Sequence, residues 1–218
     1  KNYYYKVLEI DPNVVEAHNN LGNIFKELGE YQKATDYFEK AIEIDPNYSH
    51  AHYNLGNIFK ALGEYQKATD CFEKAIEIDP NYANAHNNLG NIFKELGEYQ
   101  KAKSYYQKAI EINPNYAKAH YNLGVIFKDL GENQKAKECY EKAIEINSNY
   151  VEAHNNLGTV FYQSGEHQKA KECYEKAIEI NPDHPVTRNN LENLFKKIKL
   201  LSKIQKSKNI NKISFIKK

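Results

Sequence analysis

The chain has 218 residues, of which 41% are hydrophobic, 27% charged and 12% aromatic. This balance is typical of a protein that folds around a core, and it excludes a disordered or collagen-like chain. The net charge of +1 hides an asymmetry, because nine of the thirty basic residues lie in residues 196–218, which contain no acidic residue, so the first 195 residues carry a net charge of −8.

Two features bear on where the protein resides. The longest uncharged stretches are too short and too polar to span a bilayer, and no signal segment opens the chain. Cys71, Cys139 and Cys173 are an odd number of thiols, and all three occupy the same place in a repeated sequence pattern, which is typical of free cysteines in a reducing compartment. We therefore expect an intracellular, cytoplasmic protein.

A pattern with a period of about 34 residues recurs along the chain without insertion. In its first complete copy, apolar residues follow helical spacing over residues 21–28 and again over residues 34–44, on either side of Gly29. Each repeat is therefore predicted to form two amphipathic helices. The five complete repeats are 15–48, 49–82, 83–116, 117–150 and 151–184.

Residues 1–14 match only the second half of a repeat, so they predict the second helix of a truncated repeat. Because the chain contains no Met, we expect that its first residue is not the start of translation. Without a partner helix, Tyr4, Val7 and Leu8 are expected to leave an apolar patch that permits end-to-end self-association.

Glycine and proline predict where the helices end. Gly29 is placed to end the first helix in the left-handed conformation, and Pro46 to end the second. Gly22 lies inside the first helix, where glycine costs about 1 kcal/mol, so we expect close approach of a neighbouring helix there. Equivalent residues of successive repeats are called a column below. The Gly22 and Gly29 columns use all ten glycines, which leaves none for a phosphate-binding loop.

The repeat resembles the tetratricopeptide repeat, in register over residues 15–184. The residues of the first copy that carry the resemblance are His18, Leu21, Gly22, Phe25, Gly29, Tyr31, Ala34, Phe38, Ala41 and Pro46. Within that family, the AHNNLGN and CYEKAIE segments are most similar to the arrays of O-linked N-acetylglucosamine transferases. The resemblance implies an all-α fold, a right-handed α-solenoid of helix-turn-helix repeats whose first helices line a concave groove.

Two groups of polar residues are candidates for chemistry. One is a histidine column, His18, His52, His86, His120 and His154. Its members should be about 10 Å apart in stacked repeats, whereas zinc ligands lie about 2 Å from the ion, so packed aromatic roles are expected. The other is acidic: Glu39 and Glu43 alternate with Lys40 as on a solvated helix, and no Ser or Cys nucleophile has a motif around it. The sequence predicts no metal site, no cofactor and no enzyme activity.

Asparagine fills one column of the first helices. Its members are Asn20, Asn54, Asn88, Asn122, Asn156 and Asn190. A primary amide both donates and accepts, and if repeats advance by about 10 Å and an extended peptide by about 3.3 Å per residue, one Asn could meet every third peptide residue. We predict a ladder that binds a peptide backbone, a use that the resemblance to the transferase arrays also implies. The alternative is that Asn is a polar filler from an AT-rich coding sequence.

Neighbouring columns on the same helices are predicted to set specificity. They contain Tyr53 and Tyr121, then Asn23, Asn57 and Asn91, and then Lys26, Lys60, Lys94, Lys128 and Tyr162. No complete repeat has Lys or Arg in or directly beside the Asn column, which argues against the carboxylate clamp of the family's chaperone-binding members. The lysines could still favour an acidic ligand.

The C-terminal region departs from the repeat. Residues 185–206 are predicted to form a capping helix, with Pro185 in its first turn and Glu192 in place of the close-packing glycine. Residues 207–218 form a Lys-rich tail that could contact nucleic acid or anionic lipid, or be a solvated and partly disordered end. The acidic array argues against an RNA reader.

These observations predict a non-catalytic scaffold that binds an extended segment of another protein. The alternative is a substrate-recruiting arm of a larger enzyme, such as a glycosyltransferase, with its catalytic domain outside this chain. A third hypothesis, nucleic-acid binding through the tail, predicts steeply salt-dependent binding.

Overall fold

The computed structural model describes residues 1–216, with side chains for residues 1–204, and within these residues it contains helices and no strand. The helices are α1 Asn2–Ile10, α2 Val15–Glu27, α3 Tyr31–Ile44, α4 Ser49–Ala61, α5 Tyr65–Ile78, α6 Ala83–Glu95, α7 Tyr99–Ile112, α8 Ala117–Asp129, α9 Asn133–Ile146, α10 Val151–Gln163, α11 His167–Ile180 and α12 Pro185–Ile216. The chain forms two compact units, an N-terminal unit, Lys1–Pro114, and a C-terminal unit, Asn115–Lys218. The predicted all-α solenoid fold is confirmed by the stacking of helix pairs inside each unit.

Each repeat is a helical hairpin whose turn is set by one glycine. In the first repeat, Gly29 has a φ of 74°, and its N–H donates to the Lys26 carbonyl at 3.0 Å. The next N–H, of Glu30, donates to the Phe25 carbonyl at 2.9 Å, so the chain turns back while the last carbonyls of α2 stay satisfied. The left-handed glycine predicted from the sequence is thereby confirmed.

The second glycine column lets the two helices of a hairpin approach each other. A Cβ atom on Gly22 would lie 2.5 Å from Cε1 of Phe38, and one on Gly90 would lie 2.5 Å from Cε1 of Tyr106. Both rings are fully buried, and Ala34, one turn before Phe38 on α3, is equally inaccessible. Close approach was predicted at this column, and the neighbour is the second helix of the same repeat.

The histidine column joins each first helix to the loop before it. Nε2 of His18 lies 2.8 Å from the Pro12 carbonyl oxygen, and Nε2 of His86 lies 3.2 Å from that of Pro80. Because a carbonyl only accepts, Nε2 must carry the proton and donate it. His154 makes the same contact at 3.0 Å with the carbonyl of Ser148, which stands where other repeats have proline. The packed role expected for these rings is confirmed.

The N-terminal helix is less exposed on its apolar side than the sequence predicts. In α1, Tyr4, Val7 and Leu8 are half-buried, and the large exposed apolar side chains are Tyr3 and Ile10. Self-association through this end remains a prediction.

None of the helices in the described part of the chain is both long and apolar enough to cross a membrane.

Helix α12 continues to Ile216, whereas the sequence suggested an end near residue 206. Leu194 is fully buried against the last repeat, but Phe195 and Ile198 on the same apolar stripe stay exposed. The predicted Lys-rich tail, 207–218, lies outside the residues whose side chains the structure describes.

The glycine contact yields a first prediction. Gly90→Ala gains about 1 kcal/mol of helix propensity but places a methyl group inside the Tyr106 ring, so we expect a net loss of about 1–3 kcal/mol in the free energy of unfolding. Urea denaturation measures this loss. In a double-mutant cycle with Tyr106→Leu, the combined loss should fall below the sum of the single losses, because the smaller side chain leaves room. A variant as stable as the wild type would contradict the packing argument.

The histidine contact yields a second prediction, on pH. Burial holds the pKa of His86 below its usual value, and its Nδ1 is buried without a partner. The unfolded state, with a pKa of about 6.5, therefore binds the proton more readily, so the contribution to stability is complete above this value and is lost as pH falls through it. Between about pH 7.5 and 5.5, the free energy of unfolding should fall less steeply in His86→Gln than in the wild type. His50→Gln, at an exposed ring, is the control, and equal slopes for wild type and His86→Gln would refute the argument.

Candidate functional site

Each unit has a candidate site, the surface formed within it by the columns of residues 19, 20, 23 and 26, called the groove face below. In the N-terminal unit it lies on α2, α4 and α6, and in the C-terminal unit on α8, α10 and α12. In α2, α4, α6, α8 and α10 the Gly22 column faces the second helix of the same hairpin. Amides of the groove-face columns bond to the neighbouring first helix within each unit.

The Asn column bonds to the preceding repeat in the N-terminal unit. Nδ2 of Asn54 donates to Oδ1 of Asn19 at 2.9 Å, and both side chains are buried. Nδ2 of Asn88 donates to Oδ1 of Asn57 at 2.8 Å and lies 3.4 Å from the Tyr53 hydroxyl. These amides therefore hold neighbouring repeats together.

Asn88 has little capacity left for a ligand. Its Oδ1 accepts from Nζ of Lys60 at 3.0 Å and from Nδ2 of Asn91 at 3.4 Å. The Asn91 carbonyl in turn accepts from the Tyr106 hydroxyl at 2.9 Å. Since an amide oxygen offers two lone pairs, the carbonyl of Asn88 is fully used within the protein.

The C-terminal unit repeats the arrangement with different partners. Nδ2 of Asn156 donates to the Tyr121 hydroxyl at 3.2 Å, and Nδ2 of Asn190 donates to Oδ1 of Asn155 at 2.9 Å. The hydroxyl of Thr187, which is fully buried, donates to the same Asn155 oxygen at 3.1 Å. Asn122 is buried in this unit, whereas Asn20, in the N-terminal unit, is half-buried.

The two groove-face tyrosines pack against the loop that follows their own repeat. The ring of Tyr53 lies 4.7 Å from that of Tyr82, and the ring of Tyr121 lies 5.0 Å from that of Tyr150. Burial raises the pKa of Tyr121, so its hydroxyl stays protonated at neutral pH. A predicted specificity role for these rings thus coexists with a structural one.

The lysine column is partly occupied by internal partners. Nζ of Lys26 donates to Oδ1 of Asn23 at 2.9 Å, and burial lowers the pKa of this lysine. Nζ of Lys94 lies 3.4 Å from the Glu95 carboxylate. Lys128 is half-buried. An acidic ligand at these places would therefore compete with contacts that already exist.

The groove face contains a cleft of about 520 Å³ at the end of the C-terminal unit, called the α12 cleft below. Its lining comprises Thr159, Tyr162, Gln163, Tyr174, Asn190, Asn193, Lys196, Lys197 and Leu200. The Tyr174 hydroxyl donates to Oγ1 of Thr159 at 3.3 Å, which fixes one wall. The lining combines hydroxyls, amides and two ammonium groups and includes no carboxylate.

Sequence reasoning missed Asn193, Lys196 and Lys197 because it extended only the Asn column past the complete repeats, to Asn190. Asn193 follows Thr159 by one repeat length, and Lys196 follows Tyr162 by the same interval, so both continue the Asn23 and Lys26 columns into α12. Extending each column past residue 184 would have found two of these three residues.

The described residues offer little for catalysis or metal binding. Burial raises the pKa of Cys71 and Cys173 to about 11 and that of Cys139 to about 12, so all three thiols are protonated and poorly nucleophilic at neutral pH. Lys40 and Glu43 form an exposed ion pair at 2.8 Å, as expected of a solvated face. Among the residues that the structure describes, no three His, Cys, Asp or Glu side chains are grouped to hold a metal ion.

The inter-repeat amides yield a third prediction. Asn88→Ala removes a partner of Asn57, Lys60 and Asn91 at once, so we expect the free energy of unfolding to fall by about 1–3 kcal/mol. Asn20→Ala, in the same column on a half-buried side chain, should cost less than about 0.5 kcal/mol. Urea denaturation of both variants separates the cases, and equal losses would show that the Asn88 contacts do not stabilise the fold.

Comparison with known proteins places this geometry in a family. The tetratricopeptide repeat pattern matches residues 15–48, 83–116, 117–150 and 151–184, and two related repeat patterns match residues 37–70 and 56–97. No protein with a curated description matches the chain.

Several solved structures share the fold. YrrB, described as a TPR protein with an unusual peptide-binding site, is 26% identical with a TM-score of 0.66, over 85% of this chain and 96% of YrrB. MamA is 29% identical with a TM-score of 0.66, over 74% of this chain and 94% of MamA. PilF of Pseudomonas aeruginosa, 23% identical with a TM-score of 0.75 over 86% of this chain and 91% of PilF, supports the fold alone. Since the family matches together cover residues 15–184, the chain belongs to the tetratricopeptide repeat family.

Proposed function

We propose that the chain is a non-catalytic scaffold that binds an extended peptide segment of another protein along its groove face. The observation that carries this proposal is the α12 cleft, where hydroxyl, amide and ammonium groups converge on one open surface. Concave sites with a few convergent polar groups are the usual form of binding sites. The description of YrrB as a peptide-binding TPR protein supports a role of this kind.

The proposed contact surface includes the Asn column, but its members do not offer a peptide the same hydrogen-bonding capacity. Asn88 already uses its carbonyl inside the protein, so it offers a peptide at most part of its amide. Asn190 lines the α12 cleft and donates one N–H to Asn155, so its second N–H and its oxygen retain hydrogen-bonding capacity for a ligand. A backbone ladder would therefore be strongest at the cleft and weakest near Asn88.

Charge favours an acidic segment in the α12 cleft. The first 195 residues carry a net charge of −8, yet the cleft lining includes Lys196 and Lys197 and no acid. Lys196 is held only loosely, 3.9 Å from the exposed Glu192 carboxylate. Charge-assisted hydrogen bonds from such ammonium groups to a carboxylate are stronger than those between neutral groups.

Several finer hypotheses rest on the sequence alone. Four of them remain predictions: the similarity to the arrays of O-linked N-acetylglucosamine transferases, a role as the recruiting arm of a larger enzyme, a cytoplasmic location, and self-association through α1. Binding of nucleic acid through residues 207–218 also remains a prediction, because those side chains lie outside the described residues.

The proposal yields a fourth prediction. Linear peptides selected from a random library against the full chain should be enriched in Asp and Glu. Calorimetric titration should show that Lys196→Gln/Lys197→Gln weakens the selected peptides by about tenfold, which is the effect of losing about 1.4 kcal/mol of charged contact. Lys40→Gln, which removes an exposed lysine from the outer helix α3, is the matched control and should leave the affinity unchanged. If the selected peptides are neutral and bind Lys196→Gln/Lys197→Gln as tightly as they bind Lys40→Gln, the proposal is overturned.

A further inference from the structure

One column of the second helices contains either a large ring or a small thiol. Its members are Tyr37, Cys71, Tyr105, Cys139 and Cys173. Where tyrosine is present, its ring stacks on a phenylalanine of the first helix: Tyr105 lies 5.3 Å from Phe93 with an interplanar angle of 4°. It also lies 6.1 Å from the ring of His86. Burial raises the pKa of the Tyr105 hydroxyl, and the nearby Glu73 carboxylate, on the second helix of the preceding repeat, raises it further.

At Cys173 the same place is open. A cleft of about 410 Å³, called the Cys173 cleft below, lies between α9, α10 and α11. Its mostly apolar lining includes Ile144 from the preceding repeat and His154, Leu157 and Cys173 from its own. This cleft is separate from the groove face, so a ligand bound here would not depend on the function proposed for the groove face.

The chain contains a matched comparison for this cleft. Of the eight residues that line it, six recur unchanged two repeats earlier, around the Tyr105 ring. Ile144, His154 and Leu157, for example, correspond to Ile76, His86 and Leu89. The differences are Glu172 for Ser104 and Cys173 for Tyr105. The same six residues are therefore present in a repeat where a phenol ring packs on His86 and Phe93 and in a repeat that has an open cleft.

The phenylalanine in this repeat has a different neighbour. Phe161, which corresponds to Phe93, has the ammonium of Lys137 at 5.4 Å from its ring centroid, whereas the residue equivalent to Lys137 in the Tyr105 repeat is Thr69. The Lys137 side chain also lies near Glu141, at 3.9 Å. A ring that stacked on Phe161 would displace this flexible cation, which can remain paired with Glu141 in solvent.

The charges at the rim of the cleft indicate which charge on a ligand is favoured. The lining includes three carboxylates, Glu141, Glu145 and Glu172, and one ammonium, Lys176. Glu145 is paired with Lys142 at 2.9 Å, Glu141 lies 3.9 Å from Lys137, and Lys176 is paired with Glu179 at 3.0 Å, so the lining and these partners together carry one net negative charge. A guest that brings a positive charge next to its ring would therefore be favoured over one that brings a negative charge.

We infer that the Cys173 cleft is a second docking site, which takes an aromatic side chain flanked by a basic residue from a partner protein. The ring occupies the place that Tyr105 fills in its own repeat, with His154 and Leu157 beneath it. The basic neighbour meets the carboxylates at the rim. Buried apolar space of about 150 Å³ is known to bind a benzene ring, so the size of the cleft is sufficient.

Tyramine, a phenol with an ammonium group, is the probe for this site. In amide NMR spectra of the full chain, it should shift the signals of His154, Leu157 and Cys173 in a saturable way, with a dissociation constant of about 1 mM. The matched anion 3-(4-hydroxyphenyl)propionate should bind about threefold more weakly at low salt, and the difference should shrink in about 0.5 M NaCl. If the anion binds as tightly as tyramine at low salt, the basic flank of the inferred partner is wrong.

The repeat that contains Tyr105 is the internal control, because its cleft is already filled. Amides of His86, Leu89 and Tyr105 should not shift, and this comparison needs no variant. Cys173→Tyr should weaken tyramine at least tenfold while keeping the helical circular dichroism spectrum, and Cys173→Ala should retain binding. No saturable shift up to about 10 mM, or equal shifts in the two repeats, would overturn the inference.

Discussion

The contact between a glycine on each first helix and an aromatic ring on its second helix sets the distance on which the rest of the fold depends. With Gly22 against Phe38 and Gly90 against Tyr106, two backbones approach so closely that no Cβ atom fits between them. This proximity buries Ala34 and fixes where the groove-face columns of each first helix emerge. Everything proposed about binding rests on side chains positioned by this contact.

The sequence predicts the fold well because its strongest signals are local. Gly29 requires a left-handed turn and Gly22 requires a close neighbour, and both requirements are met inside one hairpin. Contacts between repeats are less visible in a sequence. Amide bonds such as that from Asn54 to Asn19 join residues of different repeats, and a column of Asn looks the same whether it faces a ligand or a neighbouring repeat.

The candidate site is predictable only in part for the same reason. The columns indicate the correct helices, but the extent to which Asn88 and Lys60 satisfy each other depends on distances that no sequence pattern carries. The two clefts arise where the repeat deviates from its own consensus: Lys196 and Lys197 lie on a helix with no glycine of its own to pack, and Cys173 replaces a ring. In a regular array, binding sites are expected where regularity fails.

Alternation of Asn and Tyr in the column before the Asn ladder has an evolutionary consequence. In that column, Asn19 and Asn155 accept from Asn54 and Asn190, and the Tyr121 hydroxyl accepts from Asn156. Asn88 lies 3.4 Å from the Tyr53 hydroxyl of the same column and also donates to the Asn57 amide at 2.8 Å. Interfaces inside each unit are therefore of two chemical kinds. Duplication or loss of a pair of repeats preserves their order, whereas loss of a single repeat joins surfaces that did not evolve as neighbours. The array is thus expected to lengthen or shorten by two repeats at a time.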